Sequence, residues 1–166
     1  MSRTLETCLL LDSPQEKVFP FFADAWNLEV LTPPELRFEI LTPRPLEMCE
    51  GARIEYRLRL FGVPFRWRTR IAAWEAPVRF VDVQESGPYR LWEHTHRFRA
   101  EGDRTRVEDR VRYALPLRPV GELAHQVVRR QLDRIFAYRS EVLIRRFGGR
   151  VLSDGGRDVA DPSEKL

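Results

Sequence analysis

Apart from a short stretch after Ser13, most apolar positions from Leu5 to Leu115 recur with period two, and beyond Gly121 the spacing lengthens to that of a long helix. Leu5 to Leu11 reads as a first strand. Ser13-Pro14-Gln15-Glu16 reads as a helix start, with Ser13 as N-cap, Pro14 at the first helical position and Glu16 closing a capping box. A short helix through Val18, Phe21 and Phe22 follows, and Asp24 opens a second one that Pro33-Pro34 ends. Six more strands are expected: Leu36 to Leu41, Ala52 to Leu60, Phe65 to Trp74, Arg79 to Glu85, Tyr89 to Ala100 and Thr105 to Leu115. Phe61-Gly62-Val63-Pro64, Ala76-Pro77 and Ser86-Gly87-Pro88 supply breaks between them.

Gly121 to Phe147 contains no proline, and Ala124, Val128, Leu132, Ile135, Val142 and Leu143 form one apolar stripe along about seven helical turns. Arg139 falls near the middle of that stripe, where a charge needs a partner. Residues 148–166 are polar and rich in glycine and charge, and read as a disordered tail behind a single domain spanning 1–147. The order of elements implies an α+β fold. A curved antiparallel sheet of seven strands wraps around the long C-terminal helix, with two short helices after the first strand.

The chemistry concentrates on one hairpin. If Gly102-Asp103 are its central turn residues, Phe98 stands opposite Val107 and His96 opposite Asp109. Trp92, His94, His96 and Phe98 then share the inner face with Val107, Asp109, Val111 and Tyr113. In the preceding strand, an inward Phe80 brings Asp82 and Gln84 to the same face. Asp82, Gln84, His94, His96 and Asp109 would thus lie beneath Arg139 as a paired network fixing helix against sheet, as the polar end of a ligand pocket, or as a catalytic site. Tyr56, Trp67, Trp92 and Tyr113 carry polar tips on aromatic bodies, which suits a pocket wall. Their strands are expected to pair with a four-residue loop, setting Leu60 against Phe65 and Tyr56 against Thr69.

Composition narrows the choice of function. Of 28 basic residues only Lys17 and Lys165 are lysine, and many of the 26 arginines alternate with the apolar positions of the strands. Glutamates at 55, 93 and 108 offer them cross-strand partners, and the outer face lacks interleaved aromatics for base stacking, which argues against nucleic acid. No run approaches the ~18 apolar residues of a membrane span, no signal-peptide pattern is evident, and a cytoplasmic location is the expectation. Cys8 and Cys49 read as free thiols. No serine or cysteine has a nucleophile's setting, and no nucleotide-binding glycine pattern or metal motif occurs. No cofactor and no metal are therefore expected, the arginine beside His94, His96 and Asp109 opposing a cation. Nothing in the sequence sets an oligomeric state.

Phe80-Val81-Asp82-Val83-Gln84, Gly87-Pro88-Tyr89, Trp92 through Phe98, Asp109, Tyr113 and Phe136-Ala137-Tyr138-Arg139 resemble the START/SRPBCC superfamily. The resemblance covers residues 3 to 147 and is to a bacterial ligand-binding group without an assigned reaction. It implies a helix-grip fold with a cavity between sheet and helix for a small hydrophobic or amphipathic molecule. The ligand-binding candidates are Tyr56, Trp67, Asp82, Gln84, Trp92, His94, His96, Asp109, Tyr113 and Arg139. One alternative is a cyclase- or dehydratase-like enzyme with His96 oriented by Asp109, and His94 beside them, as acid and base. Another is an RNA- or anionic-membrane-binding module acting through the arginine-rich face.

Overall fold

The computed structural model describes residues 2–116 and 120–152, excepting the side chains of 120–123. Its elements are β1 (Arg3–Leu11), α1 (Gln15–Phe22), α2 (Asn27–Leu31), β2 (Glu39–Ile40), β3 (Arg53–Leu60), β4 (Val63–Glu75), β5 (Arg79–Ser86), β6 (Leu91–Glu101), β7 (Arg104–Ala114), α3 (Val120–Phe147) and β8 (Arg150–Val151). The strands form one antiparallel sheet in the order β2-β3-β4-β5-β6-β7-β1-β8. One short strand at the far edge, β8, brings the count to eight rather than the seven expected. β8 falls in the stretch read as a polar tail and pairs Leu9 with Val151. The rest of that tail, 153–166, lies outside the described residues.

Three local expectations are corrected. The capping box at α1 does not form: the helix begins at Gln15 after Pro14, and the Ser13 hydroxyl instead donates to the Phe147 carbonyl at 3.2 Å, tying the start of α1 to the end of α3. The strand expected from Leu36 shortens to Glu39–Ile40 because Pro34–Leu36 close a 3₁₀ turn and Arg37 takes φ of 46°. The β3–β4 connection is tighter than four residues. Phe61 and Gly62 adopt φ of 52° and 80°, the signature of a two-residue hairpin turn, so Leu60 pairs with Val63, Leu58 with Phe65 and Tyr56 with Trp67. The register moves by two, which leaves the same side chains facing inward.

Elsewhere register follows the pattern. Gly102-Asp103 close the β6–β7 hairpin, setting His96 opposite Asp109 and Phe98 opposite Val107. In β4 a bulge between Ile71 and Ala73 interrupts the alternation. Strict period two would turn Trp74 outward from an inward Ile71, whereas the extra residue re-aims it onto Phe19 and Phe80. Such bulges bend the sheet, and α3 packs across it. Leu143 joins Leu9, Leu11, Phe98 and Val107 at one end, while Leu132 and Phe136 join Leu5, Val111 and Tyr113 further along. A third cluster of Leu36, Leu58, Leu60 and Trp67 lies under β3 and β4. No helix among the described residues is long and apolar enough to cross a membrane.

Candidate functional site

Three adjacent strands supply a four-residue square. Asp82 on β5 pairs with His94 on β6, and His96, two residues on, pairs with Asp109 on β7. Direct and diagonal neighbours on one face of a sheet lie within side-chain reach, so each carboxylate meets both imidazoles. Asp109 Oδ1 accepts from His94 Nε2 at 3.0 Å, and His96 Nδ1 stands 2.7 Å from the same oxygen, too bent for a hydrogen bond. On the other side His96 Nε2 donates to Asp82 Oδ2 at 3.1 Å, with His94 Nδ1 at 3.7 Å from that atom. The two rings lie 3.7 Å apart, and Phe80 stacks on His96 at 4.2 Å. From α3, Arg139 Nε reaches to 3.5 Å of Asp109 Oδ2 and sets its guanidinium over Phe22.

The charges resolve a question that composition leaves open. Burial works against ionising Asp109, but Arg139 and the two imidazoles outweigh it and hold the carboxyl well below the usual range. Burial equally disfavours an imidazolium at His96, yet Asp109 and Asp82 prevail and raise its pKa. His94 has the same burial with His96 beside it, and its pKa is lowered. Of the two rings, His96 is thus the one whose surroundings favour the protonated form.

Between the sheet, α3 and the two short helices lies a cavity of about 150 Å³. Asp82, His94, His96 and Arg139 form one end of it. The remainder is mainly apolar, with Trp67, Tyr56 and Trp92 from the sheet, Phe22 and Leu31 from the short helices, and Ile135 and Phe136 from α3, although Asp24, Asn27, Thr32 and Thr69 also line it. The rings brace one another, with Trp67 5.8 Å from Tyr56 and 5.2 Å from Trp92. The Tyr56 hydroxyl is satisfied by Thr69 at 3.0 Å, and burial raises its pKa so that it stays neutral. Two donors on this wall are not satisfied. Trp67 Nε1 and Arg139 Nε are both buried without a hydrogen-bond partner, on residues only 6% and 7% exposed. Leaving such a group unmet costs about 1–3 kcal/mol.

The structure brings together eight of the ten residues singled out from sequence: Tyr56, Trp67, Asp82, Trp92, His94, His96, Asp109 and Arg139, with Asp109 behind the cavity wall rather than on it. The other two do not reach the cavity. Gln84 turns along its own strand, donating to the Tyr89 carbonyl at 2.7 Å and accepting from the Tyr89 amide at 3.3 Å, so it closes the β5–β6 loop. Tyr113 is fully buried beneath α3 with its hydroxyl 3.2 Å from His125 Nε2. Sequence reasoning missed Phe22, Leu31 and Leu36. Their apolarity was visible, but nothing local shows that the two short helices lean over the sheet. Asp24 does cap the turn into α2, accepting from the Trp26 amide at 3.0 Å.

On the outer face the arginines are paired across strands. Arg53 and Arg70 share Glu85, Arg57 meets Glu39, Arg68 meets Glu55, Arg110 meets Glu6 and Arg112 meets Glu93. Each pair is worth little, about 0–1 kcal/mol, but together they cancel much of the field a polyanion would feel.

No described protein family matches the sequence, and no curated protein matches it. Solved structures do match the fold. A protein of Thermus thermophilus aligns over 86% of this chain and 95% of its own at 19% identity and a TM-score of 0.68. A START superfamily protein of Mycobacterium smegmatis covers 86% and 98% at 13% identity and 0.64. The Zhui aromatase/cyclase of Streptomyces sp. R1128 covers 87% and 96% at 18% identity and 0.64. The chain shares the helix-grip fold of these proteins.

Proposed function

We propose that the protein binds a small, largely hydrophobic molecule carrying one anionic or carbonyl oxygen, in the cavity between sheet and α3. The supporting observation is a buried indole donor without a partner, Trp67 Nε1, on the wall of a mainly aromatic and aliphatic space that the Arg139 guanidinium also lines. An acceptor placed against the indole recovers that cost, and burying the ligand's apolar body contributes roughly 25 cal/mol per Å², less the entropy of association. Size limits the ligand. A cavity of ~150 Å³ is of the order that admits benzene, so one or two rings fit without rearrangement. The cross-strand ion pairs of the outer face and its lack of interleaved aromatics disfavour the nucleic-acid and membrane alternative.

The test is a titration with 1-naphthoate and with its methyl ester, followed by tryptophan fluorescence. The acid is expected to bind more tightly than the ester in the wild type, and Arg139→Met to erase that difference while the ester's affinity stays the same. Equal affinities for acid and ester in the wild type would remove the polar end from the proposal, and no binding of either would remove the whole.

A further inference from the structure

Asp82, His94 and His96 each offer one donor atom within 4.8 Å of the others at the polar end of the cavity. We propose that these three residues bind a divalent first-row transition ion, with Zn²⁺ as the simplest probe. The spacing is already close to that of a coordination shell. Asp82 Oδ2 lies 3.1 Å from His96 Nε2 and 3.7 Å from His94 Nδ1. Ligand atoms held ~2.0–2.1 Å from a tetrahedral ion stand about 3.4 Å from each other, which these distances bracket.

The second observation concerns the opposite edge of the rings. His94 Nε2 and His96 Nδ1 both face Asp109 Oδ1, at 3.0 and 2.7 Å. Asp109 is 3% exposed and stands behind the wall. A carboxylate that engages the far nitrogen of a ligating imidazole orients the ring and aims its near lone pair at the metal; Asp109 does so by a hydrogen bond with His94 and by close charge contact with His96. The ligating trio lines the cavity while Asp109 does not, so the ion's remaining positions open onto the cavity. Two imidazoles and one carboxylate with open positions suit iron, zinc or cobalt.

The charge of Arg139 also reaches His96, and Asp109 answers it. The Arg139 Nε is placed against Asp109 Oδ2, on the carboxylate that stays out of the coordination shell. With neutral imidazoles the formal charges of Asp82, Asp109 and Arg139 leave one net negative charge for the ion to meet. The ion takes the place of the proton that His96 Nε2 shares with Asp82, and that proton leaves to solvent. None of this requires the apolar end to hold a ligand.

The experiment is calorimetric titration of the chelator-treated full chain with Zn²⁺, with a parallel Co²⁺ titration read by its visible spectrum. A single site is expected, with intense d–d bands of a four- or five-coordinate ion. His96→Ala and Asp82→Asn should each abolish it, and Asp109→Asn should weaken it by about 10–100-fold. Cys8→Ser with Cys49→Ser, which removes both thiols, should leave it unchanged. Circular dichroism confirms that each variant is folded. Should His96→Ala not fold, X-ray absorption of the Co²⁺-loaded wild type decides, two nitrogen-ring signatures and an oxygen supporting the site. The proposal is overturned if the wild type takes up neither ion, if binding persists in folded Asp82→Asn or His96→Ala, or if the thiol-free variant loses it.

Discussion

Asp82 and Asp109 are chemically identical and make nearly the same contacts, yet their surroundings separate them. The Asp109 side chain is 3% exposed and answers Arg139 and both histidines, whereas Asp82 is 16% exposed at the cavity margin. Removing one charge from a buried set strands its partners, at a cost of several kcal/mol, whereas a residue that water reaches loses less. Asp109→Asn is therefore expected to lower unfolding stability in urea by about 3 kcal/mol and Asp82→Asn by clearly less; equal costs would contradict the placement. The His96–Asp109 pair was legible because a two-residue turn and period two leave one register. Arg139 was legible because a charge on an apolar stripe needs an answer. The contact of Asp82 with both rings was not, since the β5–β6 connection is too long for its length to dictate register.

At the level of elements, that same connection shows how a loop is held. Gln84 grips both backbone groups of Tyr89, and the gap at Gly87 admits no side chain: a Cβ there would sit 2.4 Å from Gln84 Oε1. Gly87→Ala must push the amide away, so it and Gln84→Ala break the same two hydrogen bonds. Each is expected to cost about 1–2 kcal/mol, and the double variant little more than either single one. Full additivity in urea denaturation would show that the clamp does not operate. Period two carried strand existence and inward faces well, because a slip of two residues leaves the buried set unchanged. It could not reveal the tight Phe61-Gly62 turn, the bulge that re-aims Trp74 or the strand at Arg150–Val151, each of which depends on partners far along the chain.

For the molecule as a whole, a bent sheet closed by one long helix leaves more interior than its side chains fill, and two short helices roof the remainder. That space is an unclaimed source of stability. Ala25 is buried on its wall, and Ala25→Leu is expected to hold or raise stability by up to ~1 kcal/mol while abolishing naphthoate binding. A loss of stability with binding intact would mean that the space is not where the ligand goes. The fold was readable from the order of elements alone, whereas the cavity was not, because whether large side chains fill a core or line it is decided by packing. The most direct measurement is the ¹H–¹⁵N spectrum of the indole protons, with Trp67 identified through Trp67→Phe. On adding 1-naphthoate the Trp67 Nε1–H resonance should move downfield as it gains an acceptor, and naphthalene should produce no such shift. An indole signal that ignores the acid, or answers the hydrocarbon equally, would contradict a polar anchor in the cavity.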